Sequence, residues 1–267
     1  MTRFICVQCG TQFADAPAPP RACPICEDER QYVRWSGQEW TDLEALKAEH
    51  RNALTDEDGV TGIGIAPSFA IGQRALLVPS EGGFVLWDCV ALVTDDVVAM
   101  IKRRGGLRAI AISHPHYYTS MVSWSEAFGG VPIHLHADDR QWVMHPHPAI
   151  AFWSGETRQI GPGLTLIRSG GHFEGSTLLH DASGADGKGD LYVGDNLQVC
   201  QDRRYVSFMR SYPNYIPLNA TAVERIAAAV APYRFERVYG AFAHRNVRRD
   251  GKEAVARSVS RYLAAIG

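Results

Sequence analysis

The sequence predicts an α/β fold of two β-sheets with helices on their outer faces, preceded by a small cysteine-held segment. Three observations carry that prediction. Apolar runs of strand length come in groups of two or three, with helical patterns between the groups. Two C-x-x-C pairs, Cys6 with Cys9 and Cys23 with Cys26, mark the first 35 residues. Histidines and an aspartate recur directly after apolar runs further along. No internal repeat of fixed period is present.

A chain of 267 residues suits one large domain with an appendage, or two modest domains. Hydrophobic residues make up 46% and charged residues 21%, which is enough apolar material for a sizeable core. The net charge of −2 gives no global basic field to draw nucleic acid or an anionic membrane. The opening "MTRFICVQCG" lacks the apolar run of a signal peptide, and no stretch reaches the ~18 apolar residues of a membrane span. The expected location is the cytoplasm, where thiols stay reduced. There, paired C-x-x-C knuckles read as a metal site rather than disulfides. Four thiolates close a tetrahedral shell and stabilise a segment too small to fold on its own core. Structural Zn²⁺ is the expected ion. The knuckles also resemble those of rubredoxin, so iron is the alternative. Cys89 and Cys200 are isolated and read as small buried hydrophobes.

Residues 1–35 form the expected zinc ribbon, 36–60 a connecting helix and linker, and 61–267 the main domain. The helix is placed at "TDLEALKAEHRNAL" (Thr41 to Leu54), and "TDEDG" is read as a linker or turn. Strands follow at "TGIGIAPSFAIG", "QRALLVPS" and "GFVLWD", the last two joined as a hairpin. "TDDVVAMIKRRGG" reads as a helix from an acidic cap to a glycine stop, and "LRAIAIS" as a buried strand. "SWSEAFGG" is a helix with a capping-box pattern at Ser123 and Glu126, then "VPIHLHA" a strand and "DDRQWV" a short helix. "GLTLIRSGG", "STLLHD" and "DLYVGD" are three more strands. The helix "TAVERIAAAVAPY" is assigned a cap at Thr221 and Glu224. The strand "ERVYGAF" and a last helix starting at Asp250 end the chain.

The buried strand "LRAIAIS" runs directly into "HPHYYTS", with His114 and His116 two residues apart. In extended backbone, residues i and i+2 point to the same side, so two imidazoles so placed can bind one ion. Alone the pair is weak, because His134 with His136 and His145 with His147 share the spacing. Later strand ends strengthen it. His172 follows a strand in the glycine turn "SGGHFEGST", Asp195 ends "LYVGDN", and His244 follows "VYGAFAHRN". Residues placed just after buried strands gather at a sheet edge, where loops build sites.

This order of anchors, with Asp88 after the early strand "FVLWD", resembles the metallo-β-lactamase superfamily over about residues 60 to 260. The resemblance implies an αββα sandwich with metal at one edge of its sheets, and in most members hydrolysis. It implies His114, His116 and His172 as ligands of a first metal, Asp195 as a bridging ligand and His244 as part of a second site. Asp88 would support the site from behind, as ligand histidines commonly require. The sequence departs from the family's H-x-H-x-D-H at Tyr118 and Thr119. Neutral tyrosine is a poor divalent-metal ligand. The expected centre is therefore mononuclear: three histidines with an open position, one Zn²⁺ rather than two.

Such a site points to a metal-dependent hydrolase of an ester, lactone, thioester or amide. Asp195 would ligate, or orient and deprotonate a water, His244 would donate a proton or bind substrate, and Tyr118 would hydrogen-bond a developing oxyanion. Against these stand plainer roles: Asp195 as a turn former, Tyr118 as packing, and His134 and His136 at surface or second-sheet positions. The long segment Asn196 to Asn219 is expected to form a lid or binding wall, with Arg203, Arg204 and Arg210 suited to an anionic group. The rival function is a non-catalytic or regulatory binding protein that contacts a partner through its ribbon. A nuclease would want two metals and a basic groove, and neither is evident. A redox role rests on the rubredoxin-like knuckles alone. The expected partner is a small-molecule substrate, and a homodimer is an expectation without a motif behind it.

Overall fold

A computed structural model describes all 267 residues. The chain forms two compact units, Met1–Leu135 with Arg140–Phe152, and His136–Asp139 with Trp153–Gly267.

The first unit is built on a seven-stranded sheet in chain order. Its strands are β1 (Arg51–Glu57), β2 (Val60–Ala66), β3 (Ala75–Ser80), β4 (Gly83–Trp87), β5 (Leu107–Ala111), β6 (Ile133–His136) and β7 (Ile150–Trp153). Strands β1 to β4 are antiparallel, and β4, β5 and β6 are parallel neighbours. Helix α1 (Leu43–Glu49) precedes the sheet, while α2 (Asp95–Arg103) and α3 (Met121–Ala127) make the crossovers that parallel pairing requires. Strand β3 is apolar without alternation, and Ala75 to Val78 are all buried, as in a strand covered on both faces.

The segment expected to be helical to Leu54 divides instead. The Asp42 side chain caps α1 by accepting from the Ala45 amide at 2.9 Å, and the helix stops at Glu49. From Arg51 the chain pairs residue by residue with β2, Arg51 against Ala66 through Glu57 against Val60. Long-range pairing overrides a local helical preference. The acidic "TDEDG" is the end of β1 and its hairpin turn, with Asp58 and Gly59 both left-handed. Within this sheet Glu57 and Arg74 form an ion pair at 2.7 Å with both side chains essentially excluded from water.

The ribbon packs on its own unit. Short strands Ile5–Cys6 and Trp40–Thr41 pair, and a helical turn Pro24–Glu27 carries the second knuckle. Ile25, Phe13, Trp40, Trp142 and Met144 surround the four cysteines. Ile5 shares a second apolar cluster with Leu46 of α1, Phe69, Ala91 and Leu92. The capping box read at Ser123 and Glu126 does not form: both lie inside α3, where Ser123 bonds Gln12 at 2.9 Å and Glu126 pairs with Arg3 at 2.5 Å.

The second unit carries a six-stranded sheet of β8 (Thr157–Gly161), β9 (Leu164–Arg168), β10 (Thr177–Asp181), β11 (Asp190–Gly194), β12 (Arg237–Gly240) and β13 (Asn246–Val247), also in chain order. Strands β11 and β12 are parallel, joined by a crossover through α4 (Ala220–Val230). Asn219, not Thr221, caps α4 by accepting from the Ala222 amide at 2.9 Å. Helix α5 (Gly251–Ile266) follows β13. Leu178, Leu191, Val193, Val223, Ile226, Val238 and Val255 form the core of this unit. The segment 196–219 joins that core through Val199, Val206 and Phe208. It folds as two small pairs, Gln198–Val199 with Val206–Ser207 and Met209–Ser211 with Ile216–Pro217. Its apolar residues Val199, Val206 and Phe208 are buried, while Gln201 to Arg204 and Pro213 to Tyr215 are exposed. No helix of the chain is long and apolar enough to cross a membrane.

Candidate metal centres

The cysteine centre is legible in full. Cys6, Cys9, Cys23 and Cys26 are buried, and their sulfurs all lie within 4.8 Å of one another. Cys6 and Cys26 are 3.6 Å apart at sulfur, as are Cys9 and Cys23. A tetrahedral ion with metal–sulfur bonds of about 2.3 Å needs sulfurs about 3.8 Å apart, so the donor set fits a bound ion. Hydrogen bonding to Cys23 and the other thiols drives Cys6 towards the thiolate, while the same neighbours hold Cys9 and Cys26 protonated. A dication removes that conflict. Gln38 braces the knuckles, accepting from the Cys23 amide at 3.2 Å and donating to the Cys6 sulfur at 3.3 Å.

The histidine centre begins where β5 ends. His114 is extended, but Pro115–Tyr117 form a tight 3₁₀ turn closed by the Tyr117 amide on the His114 carbonyl at 3.0 Å. A turn, rather than the expected extended backbone, therefore carries His116. Pro115 suits its first position because its φ is fixed and it has no amide to leave unpaired. Asp88, buried and left-handed at the end of β4, accepts from the Ser113 amide at 2.8 Å and so fixes the chain just before His114. The Ser113 hydroxyl sits 2.9 Å from His114 Nδ1.

The glycine turn after β9 presents His172. Gly170 and Gly171 are both left-handed, and a Cβ on Gly171 would stand 2.9 Å from the Ile226 side chain, so the turn needs glycine there. His172 Nδ1 lies 3.0 Å from the Met209 carbonyl. A carbonyl only accepts, so Nδ1 carries the proton and Nε2 is the nitrogen that could take an ion. Asp195 follows β11. Tyr212 donates to its carbonyl at 2.9 Å, and burial pushes the Tyr212 phenol well up, so it stays a donor. Met209 and Tyr212 were not singled out from sequence. Their only signal was their place in an aromatic-rich segment following a candidate ligand.

His114, His116, His172 and Asp195 are all buried, and each offers a ligand atom within 4.8 Å of the others. Three neutral imidazoles and a carboxylate are a fitting donor set for a zinc or iron ion. His244 is not in this group; it is exposed on a left-handed turn after β12. Tyr118 is buried and donates its amide to the Pro115 carbonyl at 3.1 Å, and Thr119 is buried and left-handed. His134 and His136 are buried on β6 of the first sheet, away from the surface or second-sheet positions expected for them. They belong to neither cluster.

The ribbon and the H-x-H turn are connected within the first unit. Buried Gln73 donates to the Cys9 carbonyl at 2.7 Å and to the His116 carbonyl at 3.0 Å. The Gln12 amide donates to the Thr119 carbonyl at 3.0 Å. A ribbon knuckle and the H-x-H turn thus share one hydrogen-bond bridge.

No protein-family model matches the chain. It is 48% identical over 269 aligned positions to a protein of Bacillus subtilis strain 168, the uncharacterized protein YmaE, covering 100% of this chain and 97% of that one. The chain belongs to the YmaE family. Among solved structures it is similar to VMB-1, with a TM-score of 0.60 and 13% identity over 81% of this chain and 99% of the other. It is similar to the metallo-β-lactamase FIM-1 from Pseudomonas aeruginosa in its mono-zinc form, with a TM-score of 0.55 and 16% identity, covering 81% and 97% of the two chains. The di-iron-bound TTHA1623 gives a TM-score of 0.50 and 20% identity over 70% and 94%. These likenesses establish the αββα metallo-β-lactamase fold with an N-terminal four-cysteine ribbon.

Proposed function

We propose that this protein is a mononuclear metal-dependent hydrolase of small acyl compounds: esters, lactones, thioesters or amides. The observation that carries this is the buried cluster of His114, His116, His172 and Asp195. A divalent ion held there supplies Lewis acidity and brings the pKa of a water to about 7. Zinc suits three imidazoles, with iron the alternative.

The chain's own residues do the rest. The hydrogen bond from His172 Nδ1 to the Met209 carbonyl aims Nε2 and raises its basicity. Asp88 and Ser113 set the H-x-H turn. Asp195 takes the proton of the attacking water at a carboxylate oxygen, a transfer that needs only hydrogen-bond reach. Tyr118 donates a hydrogen bond from its phenol to the acyl oxygen as charge builds there. Tyr118 and Thr119 stand in place of an acid and a histidine, and His244 lies outside the cluster, which favours one ion over two. His244 is left to bind substrate or pass a proton to the leaving group.

Metal content per chain, measured on protein purified without chelators, tests this. One ion in the ribbon and at least one more are expected, the excess disappearing in His114→Ala/His172→Ala. A single ion that added Zn²⁺ or Mn²⁺ does not raise would defeat the hydrolase reading. An iron-filled ribbon would show as colour.

The second reading, a binding protein that uses its ribbon, draws on one feature. Trp35 is fully exposed, beside exposed Tyr32 and Val33. Aromatic side chains so presented suit contact with another protein.

A further inference from the structure

Arg203 and Arg204 do not stand alone. In the second unit they line a pocket of about 290 Å³ with Arg248, Arg249 and Arg257. The only carboxylate in its lining is Asp250. Outside the lining, Asp202 approaches Arg204 at 3.5 Å, and both of these side chains are substantially exposed.

Five guanidiniums around so small a space repel one another, and the chain as a whole is slightly acidic, so basic composition does not account for the cluster. The pocket is also held in shape. The turn that carries Arg203 and Arg204 is fixed to α5 from one side. Arg257 donates from Nε to the Arg204 carbonyl at 3.0 Å, and the Val206 amide donates to the Ser258 hydroxyl at 2.9 Å. Arg261 stacks on Tyr205 with its guanidinium carbon 3.6 Å from the ring centre. Arg203 itself is left-handed, a backbone state that arginine rarely adopts and that the tied turn enforces. Arg248 and Arg249 follow β13 directly and line the same pocket.

We propose that this pocket binds a phosphate-bearing small molecule. Guanidinium forks match phosphate oxygens two at a time, and several converging on one anion remove their mutual repulsion. The pocket is open to solvent, and its volume of about 290 Å³ suits a compact anion, with its five arginines drawn from only three short segments rather than strung along the surface. None of the residues that line this pocket belongs to the His114, His116, His172 and Asp195 cluster.

Isothermal titration calorimetry of the full chain with inorganic pyrophosphate, at constant ionic strength, tests this. Inorganic phosphate and ADP titrated in parallel tell a free phosphate from a phosphate ester. Saturable binding is expected. Arg203→Gln and Arg249→Gln should each weaken it roughly tenfold or more, as the loss of a charge-assisted contact does. Arg158→Gln, an exposed arginine of β8, and His114→Ala/His172→Ala should leave it unchanged. No saturable binding, equal binding by all variants, or loss only in the histidine variant would overturn the proposal. So would tighter binding of a short single-stranded RNA that falls steeply with salt, since that is the behaviour of a nucleic-acid surface.

Discussion

At the residue scale, the proposed mechanism turns on Tyr118, which is buried beside the H-x-H turn. Phenol is a donor at neutral pH where a carboxylate would be a ligand, so in the proposed hydrolase this position would offer a hydrogen bond in place of a second ion's ligand. Tyr118→Phe is expected to lower turnover by about a hundredfold while leaving metal content unchanged. Steady-state rates beside elemental analysis check this, and full turnover in the variant would remove the role. The Glu57–Arg74 pair makes a different demand. Glu57→Gln leaves a buried guanidinium without its counter-charge and should lose about 3–5 kcal/mol of stability, read by urea denaturation. The identity of His172 as a candidate ligand was legible, because it follows a strand in a glycine turn. Its protonated nitrogen was not, because the partner is a backbone carbonyl 37 residues away.

At the element scale, the ribbon and the H-x-H turn act as one device. Gln73 joins the Cys9 and His116 carbonyls, so a ribbon that loses its ion loses one anchor of the turn. Gln73→Ala should weaken metal retention at the histidine centre by about tenfold, as loss of an outer partner of a ligand does. Equilibrium dialysis against a graded chelator would show it, and the ribbon's own ion should stay. Strands of clear apolar run were legible: β3, β5, β9, β10, β11 and β12 all form where their sequences place them. β1 was not, because its residues suit a helix as well and only pairing with β2 decides. Nor were the caps of α3 and α4, where more than one residue type near the boundary fits and the backbone's entry angle selects.

At the scale of the whole molecule, stability depends on metal and on pH. Stripping ions with a chelator should lower the melting temperature, and Cys23→Ser should reproduce the part due to the ribbon, because closing the shell is folding energy for that segment. Burial holds the imidazoles of His136 and His145 below their ordinary value of 6.5. The unfolded chain therefore takes up their protons first as pH falls. Their contribution is complete above about 6.5 and is lost as pH drops through the lower folded values. Urea midpoints should fall between about pH 7.5 and about pH 5.5, and His145→Gln should flatten that slope. The sequence by itself marked the four-cysteine set, the order of the strands, and His114, His116, His172 and Asp195 as candidate ligands, with His244 read alongside them. Each depends on local spacing or on a position just after a buried run, and both survive any packing that buries those runs. Tertiary structure alone decided that His244 lies outside the cluster, that the Met209 carbonyl meets His172 and Gln73 bonds the His116 carbonyl, and that five arginines from three separate segments meet in one pocket. Those relations join residues far apart in the chain, and nothing in local spacing encodes a distance between distant segments.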